Sequence, residues 1–255
     1  MNNCEHSLIG QTVLVTRAVP LPGCSDSLVD LLKKAGADVL ACPVIKLSMA
    51  KEIEPAEQAI GDLNRYGALV FASSNGVQFF SQLIDRFAVS PAMVSDALEV
   101  VAIGNGTEAT LLDLGYDSIS KPESASSQSL AEWLCQQGKP PYLIVRADRG
   151  SNVLAIGLEQ QGKRFREIVV YESSDVQEVD SKFKDQLQAG EVDWVTLTSS
   201  AIAHSAIHLF GESLRTVKLI TLSPQISEVV RQSGFEIAAE AKKANFNSLV
   251  DALKV

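Results

Sequence analysis

The chain has 255 residues and a formal net charge of −9 at neutral pH, with 46% hydrophobic and 21% charged residues. This balance is typical of a globular protein with room for two domains of ordinary size. An acidic chain lacks the basic footprint that non-specific nucleic-acid binding needs, and no apolar run is long enough to span a bilayer. We therefore expect a protein that contacts neither nucleic acid nor membrane. Its first residues lack the features of a secretory signal, which predicts a cytoplasmic location.

The cysteines and histidines offer little for metal or redox chemistry. Cysteines stand at positions 4, 24, 42 and 135, without a Cys-x-x-Cys spacing, which indicates reduced structural thiols. His204 and His208 are four residues apart and could share a metal ion, but no third ligand is apparent near them. An ordinary helix surface is the favoured interpretation of this pair.

The chain opens with a buried strand over Thr12–Thr16, followed by Arg17 and a loop rich in proline and glycine. The leucine spacing in 25–35 predicts a helix. The next apolar stretch, 37–47, contains Pro43, which favours an edge or connecting strand over a central one.

Around residues 67–80, a strand leads directly into a helix. The apolar run Ala68–Phe71 is followed by Ser73, Ser74 and Asn75, and then by a helical pattern. Serine and asparagine accept hydrogen bonds from the free N–H groups at a helix start, and that start attracts anions. The same phrase recurs where a strand at 192–198 runs into Ser199-Ser200-Ala201.

Other segments repeat as well, so the sequence predicts two tandem copies of one arrangement of strands and helices. The second copy begins at Tyr142–Val145 with Arg146, which parallels the first strand with Arg17; 154–162 parallels the first helix, and 165–171 parallels 37–45. Strands alternate with helices in both copies. This alternation predicts parallel sheets with helices on both faces, and ligands then bind beyond the carboxyl ends of the strands.

One short motif is ambiguous. Gly104-Asn-Gly-Thr-Glu-Ala109 matches the dinucleotide fingerprint after a predicted strand at 99–103, with the helix predicted to begin at Thr107. The motif comes late in its domain, and no acid ends the next strand. A glycine turn capped by Thr107 is the favoured alternative.

The predicted strand ends carry hydroxyls, amides and arginines that suit an anionic ligand. This set comprises Thr16, Arg17, Ser73, Ser74, Asn75, Thr107, Arg146, Ser199, Ser200 and the main chain at Ala201. Helix caps and solvent-facing arginines are the alternative explanation for these positions.

The order of these phrases resembles one family, uroporphyrinogen-III synthase. The phrases are Val13–Arg17, Phe71–Val77, Val101–Thr107, Leu143–Arg146, Val170–Tyr171 and Leu197–Ser200. The resemblance implies two similar parallel-sheet α/β domains of HemD-like, flavodoxin-like topology, joined by a two-stranded connector. It places the second domain inside the first, with 1–40 plus 172–255 as one domain, 45–166 as the other, and connectors near 41–45 and 166–172.

The resemblance also implies a function. Such enzymes cyclise hydroxymethylbilane with loss of water and inversion of ring D, giving uroporphyrinogen III for haem and sirohaem synthesis, without a metal or organic cofactor. Tyr171 is then the candidate general acid. The expected protein is a monomer that takes its substrate by hand-over from hydroxymethylbilane synthase. The rival hypothesis is a two-lobed protein that binds a small anion without catalysis.

Overall fold

A computed structural model describes residues 8–19 and 26–254, which form two β-sheets flanked by helices. Neighbouring strands run parallel, except that the edge strand at 45–49 runs antiparallel to its neighbour at 165–175, as the Ala50–Val170 and Val176–Val44 hydrogen bonds show. The cysteines at positions 4 and 24 lie outside the described residues. So do most of the predicted loop after Arg17 and residue 25, at which the predicted helix begins. The strands are β1 Thr12–Val15, β2 Asp38–Ala41, β3 Ile45–Met49, β4 Ala68–Phe71, β5 Glu99–Ala102, β6 Ile119–Ser120, β7 Tyr142–Ala147, β8 Phe165–Asp175, β9 Trp194–Leu197, β10 Lys218–Thr221 and β11 Ala239–Glu240.

Helices connect most of these strands. They are α1 Ser27–Lys34, α2 Glu54–Gly61, α3 Ser74–Asp85, α4 Pro91–Ala97, α5 Asn105–Asp113, α6 Ser127–Gln137, α7 Val153–Gln160, α8 Ser181–Gln188, α9 Ser200–Phe210, α10 Pro224–Gln232 and α11 Phe246–Ala252. Short 3-10 helices follow α2 and α9. Among the described residues, no helix combines the length and apolarity needed to cross a membrane.

The chain divides into two compact units. One contains residues 1–47 and 174–255, and the other contains residues 48–173. The chain passes from the first unit to the second within β3 and returns within β8. Pro43 lies between β2 and β3, outside any strand, as the sequence predicts for a residue that cannot donate to a sheet.

Both sheets have the same strand order. The five-stranded sheet runs β11-β10-β9-β1-β2, which is the flavodoxin-like order 2-1-3-4-5 when its strands are numbered along the chain. The other sheet runs β3-β8-β7-β4-β5-β6. If β7 and β8 are counted as strands 1 and 2, and β4, β5 and β6 as strands 3 to 5, this sheet also has the order 2-1-3-4-5. Strand β3 is an additional strand at its edge. The predicted fold class is confirmed.

The two sequence repeats exchange strands, so that strands of one repeat pair with strands of the other. Strand β7 repeats β1, and β9 repeats β4, yet β1 pairs with β9 and β7 pairs with β4. Each sheet therefore joins the first two strands of one copy to the last three strands of the other. The tandem interpretation, in which each copy folds on itself, is wrong because local patterns do not determine which copy supplies the partner strand.

In the five-stranded sheet, successive strand residues face opposite layers of helices. Val13 and Val15 of β1 pack with Leu28 of α1 and Leu249 of α11. Leu14 faces the other side, in a cluster with α9 and α10. Fully burying one such side chain contributes about 1.5–3 kcal/mol, so these strands are held mainly by apolar burial on both faces.

The six-stranded sheet is built in the same way. Val70 of β4 and Ile144 of β7 pack with α6 and α7 on one face. Aromatic rings meet elsewhere in this unit, where Phe71 lies edge-on to Phe80 at 5.4 Å and to Tyr116 at 6.0 Å between ring centroids. Helix α3 supplies Phe80, so the helix that follows the repeated serine phrase is anchored by aromatic packing.

Several predicted boundaries are corrected by the structure. Ser223-Pro-Gln-Ile-Ser227 has the sequence pattern of a turn, but the structure shows that α10 already begins at Pro224. The sequence at 235–238 predicts a strand, but the strand in this region, β11, begins one residue after that segment, at Ala239. The sequence pattern did not predict α8. A proline at the first helical turn is compatible with a helix start, which explains why a turn signal and a helix start coincide at 224.

Two buried tyrosines make a testable prediction about alkaline stability. Burial raises the pKa of Tyr116 and of Tyr142 to about 12, and the Tyr142 hydroxyl donates to the Leu134 carbonyl at 2.6 Å. Since the folded-state pKa exceeds the ordinary value near 10, the stabilisation is complete below pH 10 and is lost as the pH rises from 10 to 12. We expect the free energy of unfolding, measured by urea denaturation, to fall above pH 10. Tyr142→Phe should make that decline shallower, and an unchanged decline would contradict the assignment.

Candidate active site

The carboxyl ends of neighbouring parallel strands lie at one edge of the six-stranded sheet. Ser73 follows β4, Gly104 follows β5, Arg146 lies near the end of β7, and Tyr171 lies in β8. These positions come from four different segments of the sequence. The order of the strands therefore collects predicted site residues at the edge where α/β sheets bind ligands.

Tyr171 and Ser73 are in direct contact. Their hydroxyl oxygens are 3.2 Å apart, and the Ser73 oxygen also accepts the Gly76 N–H at 3.0 Å. Ser73 is the N-cap of α3, as predicted, with an extended backbone. The serine thus links the phenol of β8 to the start of a helix.

Tyr171 is held through both its ring and its main chain. Phe79 of α3 stacks on it with a centroid distance of 5.1 Å and an interplanar angle of 9°. The Asp148 N–H donates to the Tyr171 carbonyl, and the Asp148 carboxylate accepts the Ser173 N–H at 2.9 Å. Tyr171 is only 7% exposed. The main chain around this residue is therefore clamped, and its ring has little freedom to turn.

A bulge in β8 sets the direction of Tyr171. Arg146 pairs with Val169, but the next residue, Ala147, pairs with Tyr171, so the register skips Val170. The Val170 carbonyl instead accepts the Ala50 N–H at 3.1 Å. Bulges bend a strand and re-aim the following side chains, and they are frequent beside active sites.

The proton of Tyr171 is held firmly at neutral pH. Burial raises the pKa of Tyr171 above its usual value of 10, while hydrogen bonds from Ser73 and Asn75 act in the opposite direction. The Asp148 carboxylate raises the pKa further. The phenol is thus a protonated donor whose two hydrogen-bonding neighbours would stabilise a developing phenolate.

Arg146 is engaged within its own unit. Its guanidinium forms an ion pair with Glu167 at 2.8 Å and donates to the Gly150 carbonyl at 2.9 Å and to the Asn152 side chain at 3.3 Å. A Cβ at Gly150 would lie 2.9 Å from a guanidinium nitrogen. These contacts order the loop after β7, so a direct contact between Arg146 and a ligand stays a prediction.

The glycine motif after β5 forms a helix start without a side-chain cap. Helix α5 begins at Asn105 with extended Gly104 as its N-cap, so the predicted start and cap at Thr107 are wrong. Thr107 lies in the first turn and is buried. A Cβ at Gly104 would lie 2.5 Å from the Ala125 Cβ. The protein's own chain fills the space beside this glycine, which argues against a dinucleotide there.

The five-stranded sheet presents a similar edge. Thr16 follows β1, but its hydroxyl is fully buried and donates to the Thr196 carbonyl at 2.5 Å. Arg17 forms an ion pair with Asp26 at 2.9 Å, and its guanidinium lies 4.8 Å from the Phe246 ring centroid. Asp26 also caps α1. Substrate contacts by Thr16 and Arg17 stay predictions, and the burial of Thr16 weighs against one.

The second serine phrase repeats the cap of the first. Ser199 is the N-cap of α9 and accepts the Ile202 N–H at 3.2 Å. Ser200 and Ala201 occupy the first turn of α9, as Ser74 and Asn75 do in α3. Each unit therefore has a serine-capped helix start with main-chain N–H groups in its first turn, and their contact with a ligand stays a prediction.

The described residues contain no group of three histidine, cysteine, aspartate or glutamate side chains placed to hold a metal ion. His204 and His208 lie exposed on α9, in agreement with an ordinary helix surface. Cys42 is buried, which raises the pKa of its thiol to about 11 and keeps it protonated at neutral pH.

Sequence patterns alone did not point to two residues of this site. Phe79 reads as one apolar residue of a helix, and Asp148 reads as one acid in a polar loop. Only the fold brings them to Tyr171. One signal could have pointed to Asp148, namely its position in the loop after the predicted strand β7. A loop at the carboxyl end of β7 lies at the same edge of a parallel sheet as the carboxyl end of β8.

The fold and site define a class of protein with two flavodoxin-like sheets, each built from strands of both sequence repeats. Each sheet leads into a serine-capped helix start, and a buried tyrosine lies beside one of the two caps. A sequence profile of the family described as uroporphyrinogen-III synthase HemD matches residues 26–251. The chain therefore belongs to the uroporphyrinogen-III synthase HemD family.

Individual relatives agree with this assignment. The chain is 24% identical over 261 residues to a uroporphyrinogen-III synthase of Synechococcus elongatus, covering 98% of this chain and 97% of the relative. It is 22% identical to a porphyrin biosynthesis protein HemD of Ruminiclostridium josui, covering 98% of this chain but 49% of that relative, so it spans about half of that protein.

Two solved structures have a similar fold. A uroporphyrinogen-III synthetase from Helicobacter pylori matches with a TM-score of 0.61 at 17% identity, covering 94% of this chain and 97% of that one. A mutant uroporphyrinogen III synthase from Thermus thermophilus matches with a TM-score of 0.58 at 15% identity, covering 96% and 97% of the two chains. At these identities, the likeness establishes the fold.

Proposed function

We propose that this chain is a cyclising lyase that converts hydroxymethylbilane into uroporphyrinogen III in tetrapyrrole biosynthesis. The observation that carries the proposal is the family match over residues 26–251, which includes nearly every strand and helix of both units. The protonated phenol of Tyr171 at a sheet edge supports it. The binding-only alternative has no support from the relatives, which are named as synthases.

The first chemical task is to remove the terminal hydroxyl of the substrate. Protonation of this hydroxyl lets it leave as water and produces a reactive azafulvene-type cation. Tyr171 is the proposed source of the proton, because it is protonated at neutral pH and hydrogen-bonded to Ser73. General acids of this kind contribute about 10²–10⁴-fold to a rate.

The second task is to control which carbon closes the ring. The cation closes unaided without inversion, so the protein must favour attack by the already substituted carbon through a spiro intermediate. This task depends on positioning. We propose that main-chain N–H groups at a serine-capped helix start bind substrate carboxylates, since helix starts bind anions whatever the net charge of the protein. Helices α3 and α9 each provide such a start within their own unit. The side chains proposed to assist are those at positions 73–75, 199 and 200, with lesser roles for 16, 17, 107 and 146.

We also propose that the two compact units are functional domains with connectors near residues 41–45 and 166–172. Hand-over of the substrate from hydroxymethylbilane synthase would suit an unstable linear tetrapyrrole. The cytoplasmic location and the monomeric state stay predictions from the sequence. The proposed reaction, an acid-assisted loss of water followed by ring closure, calls for no metal or organic cofactor.

Turnover tests the proposal directly. The purified protein would be incubated with freshly prepared hydroxymethylbilane, and uroporphyrinogen isomers I and III would be separated and quantified against a protein-free control. We expect isomer III to predominate only with protein. Isomer I alone, at the rate of the protein-free control, would contradict the proposal, and tight binding without turnover would favour the anion-binding alternative.

The cap at α9 gives a prediction about stability. Ser199→Ala removes the acceptor for the Ile202 N–H, and we expect a loss of about 1 kcal/mol in the free energy of unfolding. Ser199→Asn keeps an acceptor at the same position and should be nearly neutral. Urea denaturation of both variants measures the difference, and equal losses would show that the cap bond does not matter.

A further inference from the structure

The Ser73 hydroxyl lies between the Tyr171 phenol and the start of α3. A serine hydroxyl has one proton to donate and can accept two hydrogen bonds. The Gly76 N–H occupies one acceptor position at 3.0 Å. When Tyr171 donates to the other across 3.2 Å, the proton of Ser73 is directed towards a third partner.

The two hydroxyl groups differ in their access to a ligand. Tyr171 is 7% exposed, and the stacked Phe79 ring covers one face of its ring. Ser73 is half-buried and lies two residues after the end of β4, beside the N–H groups of the first turn of α3. A substrate at that helix start would meet the serine oxygen before the phenol oxygen.

We propose that Ser73 is a catalytic residue that relays the proton of Tyr171 to the leaving hydroxyl of the substrate. Ser73 gives its own proton to that hydroxyl, the carbon–oxygen bond breaks, and water leaves. Ser73 takes the proton of Tyr171 in the same step, which leaves a phenolate. The proton released from the pyrrole at ring closure restores the phenol. This inference rests on the proposed function, and on Tyr171 as the acid.

A serine that only caps a helix would have the same bond to the main chain, so the cap must be separated from the relay. Ser90 offers a matched control in the same unit, because it caps α4 by accepting the Met93 N–H at 3.2 Å. Ser73→Asn keeps a cap acceptor but has no hydroxyl proton to pass on. Ser73→Thr keeps both the cap and the hydroxyl.

The experiment compares these variants in the hydroxymethylbilane assay, with thermal unfolding measured in parallel. We expect Ser73→Ala and Ser73→Asn to lower kcat by about 10- to 1,000-fold with a smaller change in KM, and Ser73→Thr to stay within about threefold of the wild type. Ser90→Ala should leave kcat unchanged. A Ser73→Asn variant that turns over at the wild-type rate would overturn the relay.

A double substitution tests whether the two hydroxyls act in series. If they form one relay, Ser73→Ala in a Tyr171→Phe background should cause little further loss, because the pathway is already broken. Losses that multiply would overturn the relay. A wild-type protein that forms no uroporphyrinogen III would instead refute the proposed function, and a fully active Tyr171→Phe variant would refute the acid and the relay together.

Discussion

Tyr171→Phe is expected to lower kcat by about 10- to 1,000-fold while product binding stays nearly intact, a range that overlaps the roughly 10²–10⁴-fold usual for a general acid. The phenylalanine ring keeps the stacking on Phe79 at 5.1 Å and loses only the hydroxyl that contacts Ser73. The measurement is kcat for formation of isomer III, together with the Kd of the product from fluorescence or calorimetry.

Another tyrosine provides the control. The Tyr116 hydroxyl lies 3.2 Å from the Ser81 hydroxyl, which repeats the Tyr171–Ser73 distance within the same unit. Tyr116→Phe should cost about 1 kcal/mol of unfolding free energy and leave turnover unchanged. Full activity in Tyr171→Phe would reassign Tyr171 to packing, and equal loss of activity in both variants would indicate a general effect on the fold.

Gly67→Ala is expected to destabilise the protein strongly, by about 2–4 kcal/mol. A Cβ at this position would overlap the Lys139 carbonyl oxygen and lie 2.8 Å from its carbonyl carbon. Gly67 cannot shift easily, because its N–H donates to Pro141 at 2.8 Å and its carbonyl accepts the Glu99 N–H at 3.2 Å. The substitution therefore forces neighbouring segments apart where β4 begins.

Gly61 is the matched control, since a Cβ there would have no heavy atom within 4 Å. It is the last residue of α2, where alanine is the better helix former by about 0.5–1 kcal/mol. Thermal unfolding should therefore separate the two variants in opposite directions. A Gly67→Ala protein as stable as the wild type would show that this contact relaxes without cost.

The features predictable from the sequence were those with local causes. Strand β4 was predicted at Ala68–Phe71 and is found there, because its apolar run is bounded by a glycine and a serine cap. The cap at Ser73 also follows from neighbouring residues. The start of α5 was missed because Gly104 caps it without a side chain, and glycine at that position resembled a turn.

The features that were not predictable depend on contacts between distant segments. Phe79, Asp148 and the bulge at Val170 acquire meaning only once β8 lies beside β7. The exchange of strands between the two copies is of the same kind. Both copies carry equivalent apolar patterns, so pairing within a copy and pairing between copies would bury the same kinds of side chain. Hydrophobic periodicity therefore does not distinguish the two pairings.

The exchange of strands also has a consequence for synthesis on the ribosome. The unit 48–173 is continuous, so its strands are all available soon after residue 173 has left the exit tunnel. Strands β1 and β2 emerge first, but β1 pairs with β9, which begins only at Trp194. The nascent chain must therefore carry the apolar faces of β1 and α1 uncovered while the inserted unit folds. Strand β1 thus reaches its β9 neighbour only after the inserted unit has been made, and until then its apolar face favours aggregation.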